Sequence, residues 1–133
     1  TQKEFSNEIK KLSGGEGVDV VYDAVGGDYA EPAVRALAWK GRYLVVGFPA
    51  GIPKIPLNLT LLKGCQIVGV FWGAHTLREP KNHAENMADL FRLYSEGKIK
   101  PRISASYPLE KAGDALQLLQ DRKVLGKVVV TMA

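Results

Sequence analysis

The stretch Gly17–Gly27, GVDVVYDAVGG, limits more than any other what this chain can fold into. Val18, Val20, Val21, Tyr22, Ala24 and Val25 form a short apolar run that Gly26 and Gly27 close, and a helical pattern begins at Asp28. β-Branched and aromatic residues suit a pleated, buried surface. A near-continuous apolar run that feeds a helix reads as an inner strand of a parallel sheet. The paired glycines let backbone approach something closely at the strand's carboxyl end, which is where open α/β sheets hold their ligands.

The rest of the chain repeats this grammar. Residues 1–12 carry Phe5, Ile9 and Leu12 on one helical face, with Lys10 and Lys11 at the negative pole, and Ser13-Gly14-Gly15 breaks the helix. Strand one is expected over Asp19–Val25. A helix follows from an Asp28 N-cap, with Glu31 completing a capping-box-like pair, and runs to about Trp39 on Ala30, Val34, Leu37 and Ala38. Gly41 ends it, and strand two is expected over Arg42–Val46, which completes a β-α-β unit. Pro49, Pro53 and Pro56 keep the next stretch extended, Leu57–Lys63 is expected to make a helical turn, and Cys65–Phe71 reads as strand three. A polar loop with His75 and Arg78 leads to a helix from Pro80 to Gly97, with Ala84, Met87, Phe91 and Tyr94 on one face. The tail is a further β-α-β: a strand at Ile103–Tyr107, a helix opened by Pro108 and bearing Leu109, Ala112, Leu116 and Leu119, and a strand at Gly126–Thr131. A soft boundary near Lys98–Pro101 divides residues 1–98 from 99–133. The fold class is α/β: three parallel strands with helices, as in the second half of a Rossmann sheet, plus this tail.

Several classes of function find no support. No apolar run approaches the ~20 residues of a membrane span, and no targeting segment is visible at the start. The net charge of +4 is scattered; only Lys98, Lys100 and Arg102 cluster, without interleaved aromatics, which argues against nucleic acid as a partner. Single-stranded RNA binding stays a minor alternative, testable by salt-dependent retention. The one cysteine, Cys65, excludes an intrachain disulfide and suits a reducing, cytoplasmic setting, where it reads as a buried, inert thiol. Asn58-Leu59-Thr60 is a chance sequon. There is no G-x-G-x-x-G, no P-loop, no G-x-S-x-G elbow, no H-E-x-x-H and no C-x-x-C. His75 and His83 have no ligand spacing and read as surface residues, so no metal site is expected. Tyr22 and Tyr43 read as core residues with a polar tip. Asp23, an acid inside an apolar strand, is either a base with a raised pKa or, more simply, an acceptor for backbone amides in the neighbouring turn.

What remains is three strand-end loops: Val25-Gly26-Gly27, Gly47-Phe48-Pro49-Ala50-Gly51 and Val70-Phe71-Trp72-Gly73. Parallel neighbours place them on one edge, where they offer glycine and backbone amides, and Phe48, Phe71 and Trp72 can wall a flat ring. The bland reading is that the glycines close turns and the aromatics fill gaps.

Three segments, GVDVVYDAVGGDYAEPAVRALAWKGRYLVVGFPAG, PLNLTLLKGCQIVGVFWG and PRISASYPLEKAGDALQLLQDRKVLGKVVV, together resemble the medium-chain dehydrogenase/reductase superfamily. The likeness is greatest to its quinone oxidoreductase branch, the zeta-crystallin-like enzymes. It implies that the chain is a C-terminal piece of a zinc-type alcohol dehydrogenase-like reductase: the nicotinamide-side half of the Rossmann domain, plus a segment returning to a catalytic domain. The cofactor implied is NADP or NAD, with NADPH favoured. Gly26 and Gly27 would lie near the nicotinamide ribose, with Val25 beside them. Gly47, Phe48, Pro49 and Ala50 would pass the ring, Phe71, Trp72 and Gly73 would meet the carboxamide, and Lys127 would lie near the cofactor. No acid or base of this segment is implied as catalytic, and the branch generally lacks zinc. The reaction implied is hydride transfer from the nicotinamide to a quinone or related acceptor, in a homodimer formed through strand Cys65–Phe71. Lacking the glycine-rich turn, the isolated chain is expected to bind NAD(P)H weakly or not at all and to be inactive. An alternative of another class is a non-catalytic α/β module that binds a partner or dimerises through its edge strand.

Overall fold

A computed structural model describes residues 2–132; Thr1 and Ala133, at the outer ends of the two expected segments, lie outside the described residues. The chain divides into two compact units, one ending at Pro80 and one starting at Lys81.

The first unit contains α1 (Gln2–Leu12), β1 (Val18–Asp23), a 3₁₀ turn (Gly27–Tyr29), α2 (Ala30–Arg35), β2 (Leu37–Val45), α3 (Asn58–Lys63), β3 (Gln66–Gly69) and α4 (Trp72–Arg78). The strands lie in the order β1-β2-β3, and both pairings are parallel. A parallel α/β sheet is therefore what the apolar runs encode. The core gathers Ala30, Ala33 and Val34 of α2, Leu37 and Tyr43 of β2, Leu59 of α3, and Cys65, with Val18, Val21, Val45 and Ile55 packed against it. Cys65 is a buried free thiol.

The helix after β1 is shorter than expected. It stops at Arg35, and the chain has entered the sheet by Leu37 rather than continuing to Trp39. The cause is the start of β1: the Val18 amide donates to the Ala36 carbonyl at 3.1 Å, and a Cβ on Gly17 would stand 2.4 Å from that same oxygen. The Ala36 carbonyl is thus turned to the strand rather than to a further helical turn, and residue 17 must be glycine for the two segments to come this close. Pairing moves from Val18↔Leu37 to Val20↔Arg42, so residues 38–41 form a bulge that Lys40, at φ 62°, turns. Regular pairing begins at Arg42, where strand two was expected. No side-chain hydrogen bond caps the 3₁₀ turn or α2, so the predicted Asp28 cap is not how this helix starts.

Two other expectations of burial fail; Tyr22 alternates in β1 with Val21, which is the one packed on the core. Tyr22 is 69% exposed rather than buried, and Leu12 is 81% exposed, while Ser6 of α1 is buried instead. The polar loop around His75 and Arg78 is the helix α4, closed by Thr76 Oγ1 donating to the Gly73 carbonyl at 2.9 Å and by a His75–Glu79 contact at 3.5 Å.

The second unit contains most of α5 (Pro80–Ser95), then β4 (Ile103–Pro108), a 3₁₀ turn (Leu109–Lys111), α6 (Ala112–Gln120) and β5 (Lys127–Thr131). β4 and β5 pair in parallel across α6, a second β-α-β. Its register slips between Ile103 and Ala105, and the Lys127 amide donates to the Arg102 carbonyl at 2.8 Å. Among its described residues Ala115 alone is a buried apolar side chain; Phe91 and Tyr94 on the predicted face of α5 are exposed.

Candidate functional site

Register puts the carboxyl ends of the first three strands side by side, with Asp23 opposite Val45 and Val45 opposite Gly69. The loops leaving these ends are residues 24–26, 46–57 and 70–71. This is the edge at which open α/β sheets bind ligands.

The first two loops are laced together. The Gly27 amide donates to the Gly51 carbonyl at 2.8 Å, and the Ala50 amide to the Val25 carbonyl at 3.0 Å. The Val46 and Gly47 amides both reach the Asp23 carbonyl, at 2.9 and 3.3 Å. Gly26 and Gly27 are glycine because of this lacing. Both have positive φ, and a Cβ on Gly26 would stand 2.5 Å from Phe48 Cβ, while one on Gly27 would stand 2.7 Å from the Ala50 carbonyl oxygen. The close approach that the glycine pair predicted is thus an approach to the neighbouring loop. The amides of Val25, Gly26, Gly27, Val46, Gly47 and Ala50 are engaged in this lacing or on Asp23.

Asp23 organises the junction. Its Oδ1 accepts the Val25 amide at 2.8 Å and the Gly26 amide at 2.9 Å, and its Oδ2 accepts the Tyr43 hydroxyl. Partial burial acts to raise its pKa, but the Tyr43 hydroxyl and the two amides outweigh burial and hold the carboxyl below the ordinary value of 3.8. Burial, and then the Asp23 carboxylate, push the Tyr43 phenol well above its ordinary value. Asp23 therefore serves as a charged acceptor at neutral pH, and the reading of it as an amide acceptor holds over that of a base. Tyr43 is the residue the sequence undervalued: it is fully buried, and its hydroxyl is the far side of the Asp23 carboxylate's support. Its place two residues before the end of β2, opposite Val21, was the available signal.

The side chains facing solvent at this edge are aromatic and aliphatic. Val25 and Phe48 are each 47% exposed, Trp72 49% and Phe71 78%. Phe71 is the N-cap residue of α4, and its carbonyl accepts the His75 amide at 3.0 Å. Trp72 packs its ring 5.4 Å from that of His75. A Cβ on Gly47 or Gly73 would meet nothing closer than 3.5 Å, so around these two glycines there is room. Val25, Gly26 and Gly27 thus lie against Phe48 and Ala50, with Gly47 and Pro49 in the same loop, and Phe71, Trp72 and Gly73 follow the neighbouring strand β3. Lys127 belongs to the second unit, at the start of β5 opposite Ile103.

The comparisons agree with this architecture. The family described as zinc-binding dehydrogenase matches residues 1–130. The chain belongs to that family. The quinone oxidoreductase-like protein 2 homolog of Nematostella vectensis is 39% identical over 132 residues, covering 98% of this chain and 36% of its own length. An NAD-dependent alcohol dehydrogenase of Sulfolobus acidocaldarius is 32% identical over 132 residues, with 98% and 36% covered. A native mycobacterial structure complexed with NADPH superposes with a TM-score of 0.80 at 26% identity, covering 98% of this chain and 41% of that one. The chain therefore spans somewhat over a third of the length of the relatives it matches. These matches bear out the resemblance to the medium-chain dehydrogenase/reductase superfamily and its quinone oxidoreductase branch.

The family name mentions zinc, but the described residues do not fit it: no three His, Cys, Asp or Glu side chains among them come together as a metal site. What the residues of this edge present is apolar surface and free space, which is compatible with a flat ring. The edge offers apolar walls at Val25, Phe48 and Trp72, and room at Gly47 and Gly73. Among the described residues, no helix is long and apolar enough to cross a membrane.

Proposed function

We propose that this chain forms the nicotinamide-side part of the cofactor domain of an NAD(P)H-dependent oxidoreductase that passes hydride to a quinone or related acceptor. The observation that carries the reading is the aromatic-walled edge at the three parallel strand ends, in a chain whose relatives include an NADPH complex and an NAD-dependent enzyme. The cofactor supplies the hydride; the protein binds, orients and excludes water. Phe48 and Trp72 flank the flat ring, Gly47 and Gly73 leave space for its substituents, and Gly26 and Gly27 hold the ribose side in place through the laced loops. Asp23 and Tyr43 keep the first loop in that geometry. NADPH is favoured over NADH, the setting is cytoplasmic, and the protein works as a homodimer through β3, whose half-exposed Ile67 and Val68 lie on a sheet edge. A dimer through that edge is checked by sedimentation of the wild type against Ile67→Lys.

With no G-x-G-x-x-G turn to hold the pyrophosphate, the chain by itself binds only the nicotinamide end of the cofactor, weakly and without turnover. Tryptophan fluorescence tests this. NADH, NADPH and reduced nicotinamide mononucleotide should quench Trp72 to similar extents at similar, high concentrations, and Trp72→Phe should abolish the response while exposed Trp39 remains. Absence of saturable quenching by all three in a folded sample overturns the site. A dinucleotide affinity far above that of the mononucleotide overturns the half-site reading.

A further inference from the structure

A cleft of about 570 Å³ lies between α1, α2 and α3, away from the strand-end loops. Lys10, Arg35 and Lys63 line it, each from the last turn of a different helix. These helices lead into β1, β2 and β3, so the three cations mark the amino edge of the sheet, opposite the carboxyl-end loops. Helix C-termini favour cations, and because all three helices end at this edge their cations meet at one cleft.

Two of the three are held in position. The Lys63 ammonium donates to the Leu37 carbonyl at 2.7 Å. The Arg35 guanidinium places Nε and Nη2 on Glu31 Oε1, at 2.9 and 2.6 Å. Glu31 is the one carboxylate among the lining residues, so two positive charges are left uncompensated in the lining. Burial, and after it the charge of Lys10, draw the Lys63 pKa below the usual lysine value, with Arg35 adding to the effect. The same cleft has an apolar side: Pro32 and Leu59 are buried, and Leu62 is exposed.

We propose that this cleft binds a small organic phosphate, its phosphoryl group held by Lys10, Arg35 and Lys63 and its apolar body laid on Pro32, Leu59 and Leu62. A phosphoryl dianion matches the two uncompensated charges, and its three oxygens can meet three separate cations, where a carboxylate brings one charge and two oxygens. The site is separate from the nicotinamide edge.

The experiment is an amide NMR titration of the chain with phenyl phosphate, benzoate, inorganic phosphate and NADPH. Phenyl phosphate should bind saturably, moving amides of α1, α2 and α3 near the three cations, and more tightly than benzoate or inorganic phosphate. Lys10→Gln, at a half-exposed position with no role in the strand-end loops, should weaken it about tenfold, the scale of one charge-assisted hydrogen bond. Lys63→Met should do at least as much; if losing the Leu37 carbonyl contact unfolds it, Lys10→Gln alone decides. Benzoate binding as well as phenyl phosphate, an unchanged affinity in Lys10→Gln, or displacement of phenyl phosphate by NADPH would each overturn the proposal, leaving the cations as helix-end charges or as part of the cofactor site.

Discussion

Leu37 and Tyr43 lie on β2, which has a parallel neighbour on each side, and both are buried under α2 and α3. The second unit has the same β-α-β grammar, yet β4 and β5 have only each other, and Ile103, Leu116 and Leu119 remain 61, 62 and 49% exposed. Identical local patterning therefore gives a closed core in one place and an open layer in the other. The difference is the number of layers stacked on the strand. A sheet of two strands with one helix shields one face only, whereas a third strand and second helix let a side chain such as Tyr43 vanish from solvent.

Truncating matched leucines tests this most severely. Leu37→Ala should cost about 2–5 kcal/mol in urea unfolding, while Leu116→Ala should stay within about 1 kcal/mol; equal losses would erase the contrast. Next in size is Tyr43→Phe, which removes a hydrogen bond to a charged partner worth about 1.5–3 kcal/mol. It should also disturb amide shifts of Val25 and Gly26 while leaving β4 and β5 unchanged.

The glycines divide in sign. Gly26→Ala meets Phe48 at a positive φ and should destabilise by about 1–3 kcal/mol. Gly113→Ala, in α6 with nothing within 4 Å, should stabilise by about 0.5–1 kcal/mol. A destabilised Gly113→Ala would mean that something covers this helix face.

The smallest effect is in pH. The Asp23 carboxyl is held below 3.8 in the folded chain. Its contribution to stability is therefore complete above about pH 4 and disappears as pH falls through the lower, folded value. Unfolding free energies of wild type and Asp23→Asn should accordingly differ most near neutrality and converge toward pH 2. A gap that does not narrow on acidification would show that the charge on Asp23 is not what holds the loop.

Much of this was legible in the residues. The runs Asp19–Val25 and Arg42–Val46 announced parallel strands, found at Val18–Asp23 and Leu37–Val45, and Ala30, Val34 and Leu37 named the core even though Leu37 turned out to lie on a strand. The candidate loops were legible because glycine follows each strand, with aromatic residues after the second and third. The reason for the glycines was not: the atom that meets Gly26 belongs to Phe48, twenty-two residues away, and no local pattern reports such a contact.

The sequence by itself determined the alternation of strand and helix, the α/β class and the places where loops follow strands, because these depend on periodicity and on what glycine and proline allow over a few residues. Only the tertiary structure decided where α2 ends, which carboxylate is tied down and which three cations share a cleft. Val18 meets the Ala36 carbonyl where α2 ends, Tyr43 reaches Asp23 across the sheet, and Lys10, Arg35 and Lys63 meet from three separate helices. Each of these depends on atoms far apart in the chain that only packing brings within reach of one another.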